Sequence, residues 1–200
     1  MLKPSKNQVL PCDLPHKVSM LGKTPLVLVS CVAAEKEGID HSTWIEVRTN
    51  TQEMRQNIEY ILSKSPVANA KQFKFRMSDN FEGLKINPNS SVEQVALLGK
   101  SVWTWKKAFV VFTEFYGNSE DEDVAKDFKR TYLGSYTKTE DFIQHKLALE
   151  GFELQLKKNH LTWEHFNFEK IVLDWFYASN APYVRMLSDK VYVFKRETES

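Results

Sequence analysis

Four segments of this 200-residue chain carry the same helix-start pattern, and this repetition limits the folds open to the sequence. In each segment a short polar residue stands three positions before a glutamate, with apolar residues at helical spacing beyond it. The polar side chain accepts a hydrogen bond from a free backbone N–H, and the glutamate reaches back to the cap. The four pairs are Asn50 with Glu53, Ser90 with Glu93, Ser119 with Glu122, and Thr137 with Glu140. At least four helices are therefore predicted.

The apolar residues after the caps set the extent of these helices. Met54, Ile58 and Ile61 place the first helix before Pro66, because the residue preceding a proline avoids the α conformation. The later helices carry Val124, Phe128 and Tyr132 after Ser119, and Phe142, Ile143 and Leu147 after Thr137. We interpret residues 103–116 as another helix closed by Gly117, although residues 109–112 alone are typical of a strand. Residues 168–176 are predicted to be helical.

Strands are predicted between these helices. Residues 26–29 and 44–48 are β-rich runs typical of strands. Phe73, Phe75 and Met77 alternate with polar residues, which is the period of a half-buried strand. Residues 183–195 have the pattern of a hairpin that turns at residues 188–189. This order of strands and helices predicts an α+β fold.

We divide the chain into four consecutive parts. Residues 1–24 form an extended tail with three prolines and no periodicity. Residues 25–87 form an N-terminal α+β domain with an antiparallel sheet and a helix, and residues 88–118 form a central helical domain. Residues 119–200 form a C-terminal α+β domain that ends in the hairpin. No internal repeat is visible.

The composition is that of a globular protein, with 42% hydrophobic and 26% charged residues. The 27 basic and 26 acidic residues give a net charge of +1, which does not by itself indicate a nucleic-acid partner. Cys12 and Cys31 are too few for a disulfide framework, although one bridge between them stays open. The N-terminal residues lack the apolar core of a signal peptide, and no run of about 18 apolar residues occurs. We therefore expect a cytoplasmic protein without a membrane segment.

Motifs for catalysis are incomplete. Gly99-Lys100-Ser101 is similar to the end of a phosphate-binding loop, but Gln94 stands where that loop requires a glycine. His160, Glu164 and His165 match no metal-binding spacing. The sequence therefore predicts a binding protein rather than an enzyme, with no catalytic residues, metal or cofactor.

Two charged segments each allow two interpretations. Residues 120–123 are four consecutive acids, which either complement a helix dipole or form a row of carboxylates that imitates DNA phosphates. Residues 103–107 (Trp-Thr-Trp-Lys-Lys) either belong to an amphipathic core helix or stack on bases and pair with phosphates. The first interpretation is favoured in both cases.

Several blocks, in order, resemble the ArdA-type antirestriction family. They are residues 42–47 with the helix around 54–62, residues 65–70, 78–84, 123–128, 132–136, 139–142, 166–169 with 173–174, and 190–194. Together they extend over residues 25–195. The acidic stretch with tyrosines and glycine from Asp123 to Phe142 resembles the region associated with antirestriction activity in the family.

The resemblance implies an elongated α+β protein of three small domains that forms a homodimer. It further implies a DNA mimic that occupies the DNA-binding groove of type I restriction–modification enzymes, chiefly the methyltransferase core. The residues expected to bind this protein partner are Asp79, Glu82, Glu120, Asp121, Glu122, Asp123, Asp127, Tyr132, Tyr136, Glu140 and Asp141.

The charge balance departs from that of an acidic DNA mimic, because cations interrupt the stretches that should be acidic. They are Lys71, Lys74, Arg76, Lys126, Lys129, Arg130, Lys157 and Lys158. The alternative is a protein of the same fold that acts without mimicry, as a scaffold or adaptor subunit in a protein assembly. Direct binding of nucleic acid through residues 103–107 and the basic tail is the least favoured hypothesis of the three.

Overall fold

The computed structural model describes residues 24–116 and 123–196, and the chain divides into two compact units, Met1–Ala125 and Lys126–Ser200. The described residues form eight α-helices and two three-stranded antiparallel sheets, one in each unit. The predicted α+β class is confirmed. The boundary placed between residues 87 and 88 falls inside the first unit, and the three-domain division stays a prediction. No helix in the described ranges is long and apolar enough to cross a membrane.

Some expectations fall on residues that the structure does not describe. These are the tail up to residue 23, Gly117 at the end of the apolar run, and the cap formed by Ser119 with Glu122.

The first unit is built on a sheet with the strand order β2-β1-β3. Its strands are β1 (Leu26–Cys31), β2 (Ser42–Glu46) and β3 (Phe73–Asp79), in agreement with the three predicted strands. The central strand β1 buries Val27 and Val29 completely. A short helix that sequence analysis did not predict, α1 (Val32–Lys36), connects β1 to the turn before β2.

Strand β3 carries a bulge that changes which side chains face the core. Val29 pairs with Phe75, but the preceding Leu28 pairs with Met77, so Arg76 is an extra residue on β3. Phe75 is only 1% exposed, whereas Met77 is 58% exposed. The expectation that Met77 continues the buried face is therefore wrong, because one inserted residue reverses the faces of a strand.

Three longer helices complete the first unit: α2 (Thr51–Ser63), α3 (Val92–Trp105) and α4 (Lys107–Tyr116). The cap of α2 is as predicted, since the Asn50 side chain accepts a hydrogen bond from the Gln52 backbone N–H at 3.1 Å and donates one to Glu53. The cap of α3 is one residue later than predicted. Ser91, rather than Ser90, accepts a hydrogen bond from the Gln94 backbone N–H at 3.0 Å.

The apolar run 103–116 is helical, as predicted, but it is not one helix. Lys106 has φ 52° and ψ −140°, which ends α3 before α4 begins. Residues other than glycine and asparagine rarely adopt a positive φ. Because a lysine stands at this position, the sequence did not indicate the break.

Helix α3 approaches the end of β2 most closely at Gly99. A Cβ atom placed on Gly99 would overlap the Cγ1 atom of Val47 and would lie 3.6 Å from the ring of Phe81. Val47 and Phe81 are both buried. The Gly99-Lys100-Ser101 segment thus lies within α3, with its glycine at a packing contact.

The second unit has a sheet with the strand order β4-β6-β5, made of β4 (Tyr132–Tyr136), β5 (Tyr183–Leu187) and β6 (Val191–Lys195). Strands β5 and β6 form the predicted hairpin. Strand β4 was not predicted. Tyr132 was expected on the preceding helix, but α5 (Val124–Thr131) ends one residue earlier, and Tyr132 pairs with Phe194 of β6. Pairing with a distant strand outweighs the local helical spacing here.

The helices of the second unit are α6 (Thr139–Leu149), α7 (Phe152–Lys158) and α8 (Phe168–Val172). A 3-10 turn covers Trp163–His165, and a π-helical turn, Leu173–Tyr177, continues α8, so the predicted helix at 168–176 is confirmed. The core of this unit consists of Phe142, Ile143, Phe176, Val191 and Val193.

The cap of α6 also differs from the prediction. The capping residue is Lys138 rather than Thr137, and its backbone N–H donates to the carboxylate of Asp141 at 3.0 Å. The reciprocal carboxylate is thus one residue later than Glu140.

The contact at Gly99 generates a stability prediction. Replacing a mid-helix glycine by alanine normally stabilises a helix by about 1 kcal/mol. In Gly99→Ala the added methyl group would overlap Val47, whose side chain is stiff at χ1, so we expect a loss of about 1–3 kcal/mol. Urea denaturation of the purified protein measures this change.

The double variant Gly99→Ala/Val47→Ala is the control, because it removes the atom that the new methyl group meets. The glycine substitution should cost less stability in the Val47→Ala background than in the native protein. Equal costs in both backgrounds would show that this contact does not limit the packing of α3.

Candidate functional site

Two of the expected binding residues, Asp79 and Glu82, lie in a tight loop where β3 ends. Asn80, Glu82 and Gly83 have positive φ angles of 59°, 54° and 92°, so the chain turns sharply there. The Asn80 side-chain amide donates to the Thr24 carbonyl oxygen at 3.1 Å. Phe81 is buried beneath the loop. Asp79 and Glu82 themselves are exposed, and neither forms an ion pair with any described residue.

The acidic side chains around α5 differ from this loop. The structure does not describe Glu120, Asp121 and Glu122, and Asp123 is exposed just before α5 begins. Asp127 forms an ion pair with Arg130 at 2.9 Å, one turn along the same helix. Because the guanidinium compensates its charge, Asp127 contributes less to a negative surface than its sequence position suggested.

Tyr132 and Tyr136 lie at the two ends of β4 and have different surroundings. The Tyr132 ring stacks on Phe128 with ring centroids 4.8 Å apart and lies 5.5 Å from the Phe194 ring. Tyr132 is therefore part of the core, and only some of its side chain is accessible to a partner.

Tyr136 folds back over Gly134. A Cβ atom on Gly134 would lie 2.9 Å from the Tyr136 hydroxyl oxygen, so a larger residue at position 134 would displace the ring. The hydroxyl lies 2.9 Å from Nδ1 of His145 on α6. Burial raises the pKa of the Tyr136 phenol above its ordinary value, and the neighbouring Tyr132 raises it further. At neutral pH the phenol therefore keeps its proton.

Glu140 and Asp141 lie in the first turn of α6. Asp141 is exposed and accepts the capping hydrogen bond from Lys138, while Glu140 is half-exposed. Neither forms an ion pair with the residues that the structure describes. Carboxylates in a first helical turn interact favourably with the helix dipole. Glu140 and Asp141 therefore stabilise α6 and also add negative charge to the surface.

Several of the cations that interrupt the acidic stretches are paired with acids. Lys74 binds Glu35 at 2.7 Å, and Arg76 binds Asp40 at 2.9 Å. Lys157 binds Glu153 at 3.0 Å on α7. Charge is balanced within each unit, since residues 1–125 contain fifteen bases and fifteen acids, and residues 126–200 contain twelve and eleven. The two signs therefore interleave over short distances.

Comparison with known protein families assigns the chain to one of them. The family model described as antirestriction protein (ArdA) matches residues 27–185. The chain belongs to the ArdA antirestriction family. No curated protein and no solved structure matches it.

The ArdA match includes every expected binding residue, from Asp79 to Asp141, and extends into both units. It ends within β5, so β6 lies beyond it. Val193 and Phe194 of β6 are nevertheless completely buried. The last strand is thus essential to the second sheet of this ArdA protein although the family match does not extend to it.

A pocket beside Tyr136 was not predicted from the sequence. It has a volume of about 350 Å³, and its lining includes Leu133 and Leu149 together with the basic residues Lys146 and Lys195. Leu149 is 72% exposed. The lining residues come from β4, α6, β5 and β6, and no local sequence pattern connects these elements.

No group of three His, Cys, Asp or Glu side chains in the described part of the chain lies close enough to hold a metal ion. Nδ1 of His165 accepts a hydrogen bond from the Thr162 backbone N–H at 3.1 Å, and thus caps a turn. The buried Cys31 thiol lies 3.4 Å from the Ser65 hydroxyl, and Cys12 is outside the described residues.

The raised pKa of Tyr136 predicts a specific loss of stability in alkali. The folded protein holds the Tyr136 proton more tightly than the unfolded chain does, and this difference adds to the free energy of unfolding. The added stability is complete below the pKa of tyrosine in the unfolded chain, which is near 10. It is lost as the pH rises from there through the folded pKa. We therefore expect Tyr136→Phe to lose less stability than the native protein between pH 8 and pH 11, as measured by urea denaturation.

The variant His145→Ala is the control for this prediction. It removes the hydrogen-bond partner but leaves the phenol partly buried, so the alkaline loss should persist. An identical pH dependence in the native protein and in Tyr136→Phe would contradict the assignment.

Proposed function

We propose that this ArdA-family protein inhibits type I restriction–modification enzymes by occupying the DNA-binding groove of their methyltransferase core as a mimic of DNA. The observation that carries the proposal is the family match over residues 27–185, which includes both compact units. A protein that inhibits by filling the DNA-binding groove needs only to bind there. The proposed function therefore requires no catalytic residue, metal or cofactor. It places the protein in the cytoplasm, where its target acts on DNA.

Among the acids that the family resemblance assigns to binding, those without a neighbouring cation are best suited to replace DNA phosphates. Asp79 and Glu82 meet this condition in the first unit, and Glu140 and Asp141 meet it in the second. Each pair is held in a defined position, one by the loop above Phe81 and the other by the first turn of α6. A DNA-binding groove gains affinity by neutralising phosphates, and fixed carboxylates offer it the same interaction.

The interleaved charges limit how much of the surface takes part. Cations such as Lys74 and Arg76 are compensated by acids beside them, so they neither attract nor strongly repel a basic groove. The negative contact surface is therefore confined to a few sites rather than extending over the whole protein. Fewer phosphate-like contacts give a weaker dependence of binding on salt.

The proposal includes a homodimer formed through apolar side chains of the second unit. Leu133 and Leu149, which both line the pocket beside Tyr136, are 41% and 72% exposed. Clustered exposed apolar side chains commonly mark surfaces that contact another protein. Sedimentation equilibrium of the purified chain tests this part of the proposal independently of the target.

The alternative is a scaffold or adaptor subunit that keeps the ArdA fold without mimicry. The same exposed leucines and the local neutralisation of acids favour it, because a surface of mixed charge suits a partner other than a DNA-binding groove. It predicts that the chain leaves restriction and methylation unchanged.

Substitution of the unpaired carboxylates separates these two functions. We expect Asp79→Asn/Glu82→Gln to raise the concentration needed for half-inhibition of DNA cleavage and methylation by about tenfold, at roughly 0.7 kcal/mol for each lost charged contact. Excess duplex DNA should relieve the inhibition by the native protein, because both occupy the same groove.

The matched control is Glu37→Gln/Glu59→Gln, which makes the same change of net charge at exposed acids of the first unit. It should inhibit as well as the native protein. Equal losses in the two double variants would mean that only net charge matters. No inhibition of several type I enzymes by the folded native protein would overturn the proposal and favour the adaptor.

A further inference from the structure

Two sequence segments that the proposed function leaves unused meet in one groove of the first unit. Residues 99–101 and 103–107 follow each other along α3 and its C-terminal end. The groove has a volume of about 370 Å³ and is lined by α3, by residues 47–49 and by the start of α2. This volume lies in the range of small-ligand sites, which is about 300–1,000 Å³.

The face of α3 toward this groove consists of Gly99, Lys100 and Trp103. Trp103 is four positions from Gly99 and three from Lys100, so it lies on the same side of the helix as both. Gly99 contributes only backbone to the lining. Trp103 is 49% exposed, whereas Trp105 is half-buried with its ring centroid 5.8 Å from that of Phe109. Only the first of the two tryptophans therefore offers a broad ring surface to a ligand.

Lys106 is held beside Trp103 by an unfavourable backbone. Its φ of 52° and ψ of −140° lie near a region that only glycine adopts readily, so any other residue is strained there. Its ammonium group lies over the Trp103 ring, 4.3 Å from the centroid. A glycine would suit the backbone better but would leave no cation there.

The cations of the groove are not equivalent. The Arg48 guanidinium binds Glu46 at 2.6 Å and Glu53 at 3.2 Å, so two carboxylates compensate its charge. Lys100 and Lys106 form no ion pair with the described residues. Lys100 in the lining of the groove and Lys106 over the Trp103 ring are therefore two uncompensated ammonium groups close to one exposed indole.

We propose that this groove binds a nucleotide of a single-stranded nucleic acid. The base stacks on the exposed part of the Trp103 ring, and Lys100 and Lys106 bind the adjacent phosphates. Stacking on an aromatic side chain with lysines along the backbone is the usual way in which proteins hold single strands. The net charge of +1 disfavoured nucleic acid as a partner, but the local arrangement of these three side chains supports it. Duplex DNA is excluded, because its bases stack on each other and leave no free face.

The test is fluorescence anisotropy of a fluorescein-labelled twelve-nucleotide strand of thymidine and adenosine, titrated with the full-length protein at low salt. We expect Trp103→Ala to weaken binding by about tenfold or more, as for the loss of one stacked base. The matched control is Phe115→Ala, which removes another exposed aromatic ring, 59% exposed, outside the groove. It should bind the strand as well as the native protein does.

The variant Lys106→Gly separates binding from stability. If Lys106 had only a structural role, strand affinity and stability would change in the same direction. It relieves the unfavourable backbone, so the midpoint of urea denaturation should rise, while affinity for the strand should fall several-fold. Unchanged strand affinity in Lys106→Gly or in Trp103→Ala would overturn the proposal. So would equal affinity for the same sequence as a duplex, equal affinity for a mononucleotide, or Trp103-dependent binding of an acidic peptide in place of the strand.

Discussion

The missing side chain at Gly99 lets α3 lie directly against Val47 at the end of β2, and three features of the first unit depend on this contact. It positions the helix on the sheet. It places Phe81 3.6 Å from the same point, and Phe81 anchors the loop that carries Asp79 and Glu82. It also forms part of the groove beside Trp103, because Gly99 and Val47 both line that groove. A larger residue would change the packing, the carboxylate loop and the groove together.

Charge pairing is the second organising feature. In a chain with nearly equal numbers of acids and bases, several charged groups have an opposite partner nearby, as Asp127 does in Arg130 and Asp40 does in Arg76. Such exposed pairs add little stability, but they cancel the local field. The groups left without a partner then decide what the surface attracts. Unpaired carboxylates at Asp79 and Glu82 suit a basic groove, whereas unpaired ammonium groups near Trp103 suit an anion.

Sequence periodicity was sufficient for the fold class and most elements, because apolar spacing and capping are local properties. It failed where contacts distant in sequence decide the structure. Tyr132 leaves its expected helix to pair with β6, Met77 turns outward after a bulge, and Lys106 breaks a helix without a glycine. The candidate site was predicted as a set of acidic side chains with two tyrosines, but charge pairing depends on neighbours such as Arg130, and the pocket beside Tyr136 joins four elements that are separated in the sequence. Neither could be seen in a linear pattern.

The proposed function requires that the fixed, unpaired carboxylates of this ArdA-family fold occupy the DNA-binding groove of a type I enzyme. Hydrogen–deuterium exchange of this protein, alone and with the methyltransferase core of such an enzyme, tests it most directly. We expect slower amide exchange in residues 79–84 and 138–141 on complex formation, and recovery of fast exchange when excess duplex DNA is added. Protection confined to other segments, or protection that excess DNA leaves unchanged, would contradict it.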